Sequence, residues 1–385
     1  MPIPNDPYTA HVPEDESRVA LAARTLTLAV SGTLTVLLLL VIMLVPVPYV
    51  VERPGPTADT LGELQGHPLI TVDGAETYPT SGELRLTTVS TLGGPGYPVT
   101  AGDVVRGWVL GSETVVPREA VYSETETSES IAERGQAQML SSQTSSTVAA
   151  LTELGHEIPM TLTVSVVSQD SGAAGVVEVD DVITGIAAPG GRMEDVPDYQ
   201  ELVGTLAEVE PGQTVRLRVE RDGEPREVEV VTSAPPVDAT GAPLQEGSLL
   251  GIGILPDVDL PVDVAFDIDR IGGPSAGMMF ALAIIDMLTE GELTGGEVVA
   301  GTGTMDLAGR VGPIGGVRKK MVGAENDGAD WFLAPASNCA ETVGYVPDGL
   351  TVVRVATLEE ARTAVEEIAA GRGDQLPGCD VVAAD

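Results

Sequence analysis

The chain is 385 residues long, with 43% apolar but only 3% aromatic content, so its cores must be built from Val, Leu, Ile and Ala. It carries 58 acidic residues against 20 basic ones, a net charge of -38. That balance excludes nucleic acid as a partner, because phosphate binding needs a basic face, and it disfavours docking on anionic lipid heads. The length allows two domains beside a small anchor.

Residues 1–24 are expected to be a cytoplasmic tail, disordered over its polar, acidic, proline-containing start. No charge occurs between Arg24 and Glu52, and residues 25–47 are apolar enough to form a transmembrane helix across a bilayer core of ~30 Å. A cleaved signal peptide is the rival reading. Its apolar region is normally shorter and ends in a small-x-small site, which the exit Val45-Pro-Val-Pro-Tyr-Val-Val51 lacks. Arg18 and Arg24 precede the helix and Arg53 follows it, which favours a cytoplasmic N-terminus and a large part outside. Residues 52–124 begin with a stiff Pro-Gly-Pro exit and continue as a strand-rich, extracytoplasmic segment, with strands over 69–72 and 83–89. This segment is also a candidate part of a later domain.

Residues 127–154 are helix-like. From about residue 160 short alternating segments take over. Strands are expected over 162–167 and near 183, a short helix over 199–206, and a hairpin over 215–231 turning at Asp222-Gly223. A Pro- and Ala-rich linker follows at 233–243. The last domain, 248–375, alternates helices with strands: a helix over 274–288, a strand-turn segment over 298–311, a helix over 316–326, buried strands at 331–334 and 351–355, and a closing helix over 358–370. A tail covers 376–385. The fold class is thus α+β, a mixed α/β chain behind an N-terminal helix.

Lys319 and Lys320 are the only lysines; every other basic residue is Arg. Arg cannot be deprotonated, whereas a buried Lys can be, so a chain that otherwise writes its cations as Arg has a chemical reason to keep an amine. Upstream lies Gly272-Gly-Pro-Ser-Ala-Gly277. Pro274 suits a first helical position and Gly272-Gly273 a sharp turn, which places Ser275 at a helix mouth where free amides stabilise an oxyanion. A plain helix-capping role suits Ser275 equally. Only one of two adjacent lysines can face the serine, because neighbouring helical residues point ~100° apart. The three histidines, His11, His67 and His156, all precede this domain, so a Ser-His-Asp triad has no local His. Neither lysine is preceded by Gly or followed by a hydroxyl residue, so there is no P-loop for ATP. No cofactor or metal is expected. Cys339 and Cys379 read as a disulfide in an exported domain or as two free thiols.

Gly273-Pro-Ser-Ala-Gly277, Thr302-Gly303, Gly312-Pro-Ile-Gly-Gly-Val-Arg-Lys-Lys320 and Trp331-Phe-Leu-Ala-Pro335 resemble the proteolytic domain of Lon-type proteases, over about 251–370. The resemblance implies Ser275 as nucleophile and Lys320 as base. It also implies support from Thr302, Gly273 and Pro274, polypeptide substrates and a homo-oligomeric ring. One departure is Gly272, where many Lon proteases carry an acidic residue. Residues 160–232 resemble a PDZ domain, with the module expected over 125–235 and its carboxylate-binding loop near 155–161. Together with the anchor and Val116-Pro-Arg-Glu-Ala-Val121, the whole is similar to bacterial membrane-anchored, PDZ-containing Lon-like proteases. The function so implied is an ATP-independent serine endopeptidase acting on flexible or misfolded extracytoplasmic proteins. The alternative, motivated by Gly272, is a catalytically silent, membrane-tethered peptide-binding scaffold.

Overall fold

From Glu14 to Ser31 the sequence holds neither Gly nor Pro, and good helix formers fill much of it. The computed structural model describes residues 14–379 apart from 112, 124, 238–240, 242, 244, 269 and 270. In it this stretch and the apolar run after it form one helix, α1 (Glu14–Met43). The expected disordered tail is therefore corrected: residues 14–24 are helical, because nothing in the sequence breaks the helix before the apolar run. Residues 1–13 of that tail, and 380–385 of the expected C-terminal one, lie outside the described residues. Arg24–Met43 is long and apolar enough to cross a membrane, and none of it is buried in the protein.

The chain divides into two units, residues 1–52 with 91–126 and residues 53–90 with 127–385. In the smaller, Tyr49 to Glu52 pair antiparallel with the strand Thr114–Pro117, and Pro46–Val47 with Val99–Thr100. α2 (Ala101–Val109) starts on a capping box in which Thr100 and Asp103 exchange side-chain and backbone bonds. Val51, Val99 and Val104 form the small core of this unit.

The helices of the larger unit are α3 (Ser128–Glu153), α4 (Tyr199–Ala207), α5 (Gly277–Leu288), α6 (Val317–Asn326), α7 (Cys339–Thr342) and α8 (Leu358–Ala369). A parallel sheet runs in the order Thr351–Val355, Trp331–Pro335, Val298–Gly301, Glu83–Leu92. Residues 53–90 thus share a unit with this sheet, while 91–124 do not. α5 is apolar all round, as a fully enclosed helix must be, and Gly277 through Asp286 are buried. Its Met, Phe, Leu and Ile side chains each contribute about 1.5–3 kcal/mol by burial. Phe280 packs on Phe266 with ring centroids 5.0 Å apart. The motif helix starts at Gly277 rather than Pro274, because the amide of Gly277 is taken by a tight turn to the Pro274 carbonyl and the first α-helical bond runs from Phe280 N to Ala276 O. α7 carries Cys339, which is disulfide-bonded to Cys379 across a separation of 40 residues.

A second core belongs to an antiparallel sheet in the order Glu224–Val231, Thr214–Arg221, Val182–Ala187, Met160–Val167, Ile252–Val258, with α4 packed on it. Val215, Leu217 and Val219 point inward at period two, and the hairpin turns on Asp222 and Gly223, both left-handed. Asp180 adopts φ +72°, a position where Asp is tolerated and Gly is usual.

Two boundaries of the expected PDZ-like module, 125–235, are corrected. α3 is not part of this sheet: it lies along α5, and its Met139, Ala149 and Ala150 join the α5 core, where the apolar partners are. At the other end Ile252–Val258, expected within the protease domain, closes the sheet against Met160–Val167. The expected binding loop near 155–161 is also corrected. It leads into Met160–Val167, an inner strand paired on both sides, whereas the edge strands are Glu224–Val231 and Ile252–Val258, the latter entered through residues 247–251.

Candidate active site

Ser275 sits half-buried, two residues before α5, in the turn that Pro274 and Gly277 close. The turn is held from three sides. Gly273 N donates to Gly135 O (3.0 Å) and Gly303 N to Ser275 O (3.0 Å). From α3, Ser142 Oγ donates to Pro274 O (3.1 Å) and Ser146 Oγ to Gly277 O (2.8 Å). A Cβ on Gly277 would stand 2.9 Å from Met305 N and Ser142 Oγ, so only glycine allows this approach. Gly273, at φ +90°, and Pro274 lie in this turn, but the α5 amides are less free than a helix mouth suggests. Gly277 N is bonded to Pro274 O and Met278 N to Gly303 O.

Lys320 comes from α6, whose entry is Gly316 at φ +75°; a Cβ there would also stand 2.8 Å from Val89. The helix turns Lys320 inward, where it is 3% exposed. Its Nζ lies 2.7 Å from Ser275 Oγ and 2.8 Å from Thr302 Oγ1. Thr302, fully buried, follows the strand Val298–Gly301 and is held by its amide to Leu333 O (3.2 Å). Its hydroxyl donates to Ser275 O (3.0 Å), so its only proton is committed and its oxygen must accept from Lys320.

That arrangement decides the protonation chemistry. Burial pushes the Lys320 amine down to about 7, since the charged form loses its hydration and its side-chain hydrogen bonds go to two hydroxyls rather than to a carboxylate. A neutral amine donates one proton to Thr302 and aims its lone pair at the Ser275 hydroxyl. Lys319 is also buried, and the ~100° offset between neighbouring helical residues separates its direction from that of Lys320. Neither His67 nor His156 is bonded to Ser275. Gly272 is exposed and lies against Gly135 of α3, where a Cβ built on it would meet the Gly135 Cα at 3.4 Å, an ordinary contact.

Residues 267–367 match the Lon protease (S16) C-terminal proteolytic domain. The chain carries a Lon-type proteolytic domain. It is 34% identical over 114 residues to the peroxisomal Lon protease homolog 2 of Caenorhabditis elegans, covering 29% of this chain and 14% of that protein. Similarity to Lon protease 1 of Bacillus subtilis is 34% over 116 residues, 28% of this chain and 15% of that protein. Similarity to the Lon protease of Lachnoclostridium phytofermentans is 37% over 91 residues, 23% and 11%. The chain therefore spans only a small part of the length of these relatives. Among solved structures, the PDZ domain of an SdrC-like protein from Listeria monocytogenes aligns at TM-score 0.20 and 21% identity, over 24% of this chain and 86% of that one. The corresponding domain from Listeria innocua aligns at TM-score 0.20 and 24% identity, over 24% and 92%.

The Ser275, Thr302 and Lys320 side chains, drawn from three separate segments, meet at one point. Ser142 and Ser146 were not singled out in the sequence. Their signal was a pair of small hydroxyl residues four apart in a long helix, which marks a buried polar stripe only once the neighbour is known.

Proposed function

We propose that this chain is a membrane-anchored serine endopeptidase that works without ATP through a Ser275–Lys320 dyad. The observation that carries it is the buried Lys320 amine, 2.7 Å from the Ser275 hydroxyl, with no carboxylate bonded to it among the described residues. As Ser275 Oγ attacks a peptide carbonyl carbon, its proton passes to Lys320 Nζ and the carbonyl π pair moves onto oxygen. Amides beside Ser275, at the positive end of α5, stabilise that oxyanion. When the C–N bond breaks, the leaving amine takes the proton from Lys320, and an acyl ester on Ser275 remains. Water then adds to the ester, with Lys320 again accepting and returning a proton, and the acid product leaves. Thr302 holds the amine in line throughout.

α1 supplies the anchor, and Arg18 and Arg24 on its N-terminal side argue for a cytoplasmic N-terminus with the catalytic part outside. The absence of a P-loop in the sequence supports ATP independence, and therefore flexible or misfolded polypeptides as substrates. The edge strand Ile252–Val258 supports a PDZ-like role in which an extended peptide adds to the sheet. Subunits assembled in a ring complete the reading.

The test is incubation of the full chain with an unfolded protein, without ATP, beside Ser275→Ala. Cleavage lost in the variant supports the dyad. Equal cleavage by both sinks it. Peptide binding with no cleavage by either favours the silent scaffold.

A further inference from the structure

In a chain with 3% aromatic residues, Tyr49, Tyr97, Trp108 and Tyr122 all fall within the unit formed by residues 1–52 with 91–126. Trp108 stands at the end of α2, edge-on to Tyr49 with centroids 6.4 Å apart, and is 66% exposed. Tyr97, just before α2, is 71% exposed. α2 itself is apolar on two sides. Val104 and Gly107 face the small core, while Val105, Trp108 and Val109, spaced i, i+3 and i+4, share an outward face, and Leu110 extends it. A helix with a single protein neighbour normally shows polar residues on its far side; a second apolar face marks a second contact.

The position of this face identifies the contact. Ala101 N, the first residue of α2, donates to Val45 O (2.8 Å), two residues past the end of α1. The pairing of Pro46–Val47 with Val99–Thr100 fixes the same junction. α2 is therefore tied directly to the point where the apolar helix ends, which is the headgroup level if α1 crosses a bilayer. Trp and Tyr concentrate at that level because one end of each ring system is apolar and the other polar.

We propose that the outward face of α2, together with Tyr97, docks into the interfacial layer of the bilayer that α1 crosses, inserting Trp108, Val105 and Val109 among the lipids. This rests on the reading of α1 as a membrane span. The attraction is apolar and not electrostatic: Arg106 is already paired with Glu113, and Glu119 is exposed nearby. The docked face adds a second, in-plane attachment that fixes the unit around α2 on the membrane surface rather than leaving it tethered by one helix.

The experiment uses the full chain in phosphatidylcholine nanodiscs, with acyl chains either plain or brominated. Trp108 emission is the difference between the wild type and Trp108→Phe, which cancels the contribution of Trp331. A Leu34→Trp, Trp108→Phe variant reports on α1. Expected are blue-shifted Trp108 emission, a severalfold loss of it in brominated discs, no change when phosphatidylglycerol is added, and reduced quenching in Val109→Glu, at a site 77% exposed, with folding checked by circular dichroism. Quenching of Leu34→Trp but not of Trp108 overturns docking while leaving the span intact. Trp108 shielded from acrylamide yet unquenched by lipid bromine also overturns it, and points to a second protein on this face. Quenching of neither overturns the span and the docking together.

Discussion

Two of the ionisable side chains buried among the described residues, Asp181 and Lys320, are treated in opposite ways. In the antiparallel sheet Asp181 is fully buried and receives Arg221 as a fork, Nε to Oδ1 at 2.6 Å and Nη2 to Oδ2 at 2.7 Å, with a further bond from Glu178 N. Burial pushes its carboxyl up, but the Arg221 and Glu178 bonds together outweigh burial and hold it below the usual carboxylate range. Beside α5, Lys320 is equally enclosed but meets only hydroxyls, and burial alone pulls it down. Asp181 is held charged by its Arg221 partner, whereas Lys320, bonded to two hydroxyls, is pushed by burial toward the neutral amine that the proposed base needs.

The largest effect expected from breaking this contrast is on activity. Ser275→Ala and Lys320→Arg should each lower peptide hydrolysis on the order of 10⁴-fold or more, the second because an arginine cannot give up its proton at any working pH. Steady-state assays of both, with folding checked by circular dichroism, decide it; an active Lys320→Arg would refute the base. On the paired side, Asp181→Ala should cost about 1–3 kcal/mol in chemical denaturation, because Arg221 loses its fork and keeps only Glu178 and the Val176 carbonyl, and adding Arg221→Ala should restore part of it.

Lys320→Met should stabilise by about 1–4 kcal/mol, the gain from replacing a poorly compensated buried charge with an apolar side chain. Its pH dependence has a definite sign. The folded state releases the Lys320 proton near 7, the unfolded state only near the ordinary lysine value, so between them the unfolded chain binds more protons. The cost of Lys320 is therefore greatest below about pH 7 and fades as pH rises, and the gain in Lys320→Met should be larger at pH 6 than at pH 10. For the same reason kcat/KM of the wild type should climb through about pH 7 and level off above it. A profile that falls as pH rises through 7 would contradict a neutral lysine base. Smallest of these, Thr302→Val should lower kcat about 10- to 100-fold with KM little changed, because the amine loses the acceptor that aims it.

Much of this was legible along the chain. The hairpin at 214–231, the helix over 199–207 and the buried strands at 331–335 and 351–355 follow from period and turn residues, which act locally. Lys320 and Ser275 stood out from lysine scarcity and the Gly-rich segments around them. The start of α5 did not, because the bond from Gly277 N to Pro274 O that delays the helix depends on how the turn is packed. The home of α3 did not either: its small hydroxyls read as exposed until Pro274 and Gly277 supply carbonyls for Ser142 and Ser146. The carboxylate loop is expected before the strand Met160–Val167 because sheet order is not written in strand sequence; pairing makes that strand internal and puts its neighbour Ile252–Val258 at one edge.

The sequence by itself determined which elements form, that α1 is apolar enough to cross a membrane, and which two residue types are available for chemistry. Propensity, periodicity and composition are properties of neighbours in the chain. The resemblance pointed to Lys320 and Thr302, but only the tertiary structure decided that Lys320 Nζ lies 2.7 Å from Ser275 Oγ and 2.8 Å from Thr302 Oγ1, and that burial pushes the amine down to about 7. Those depend on dehydration and on distances between segments 18 and 45 residues apart in sequence, which no local pattern encodes.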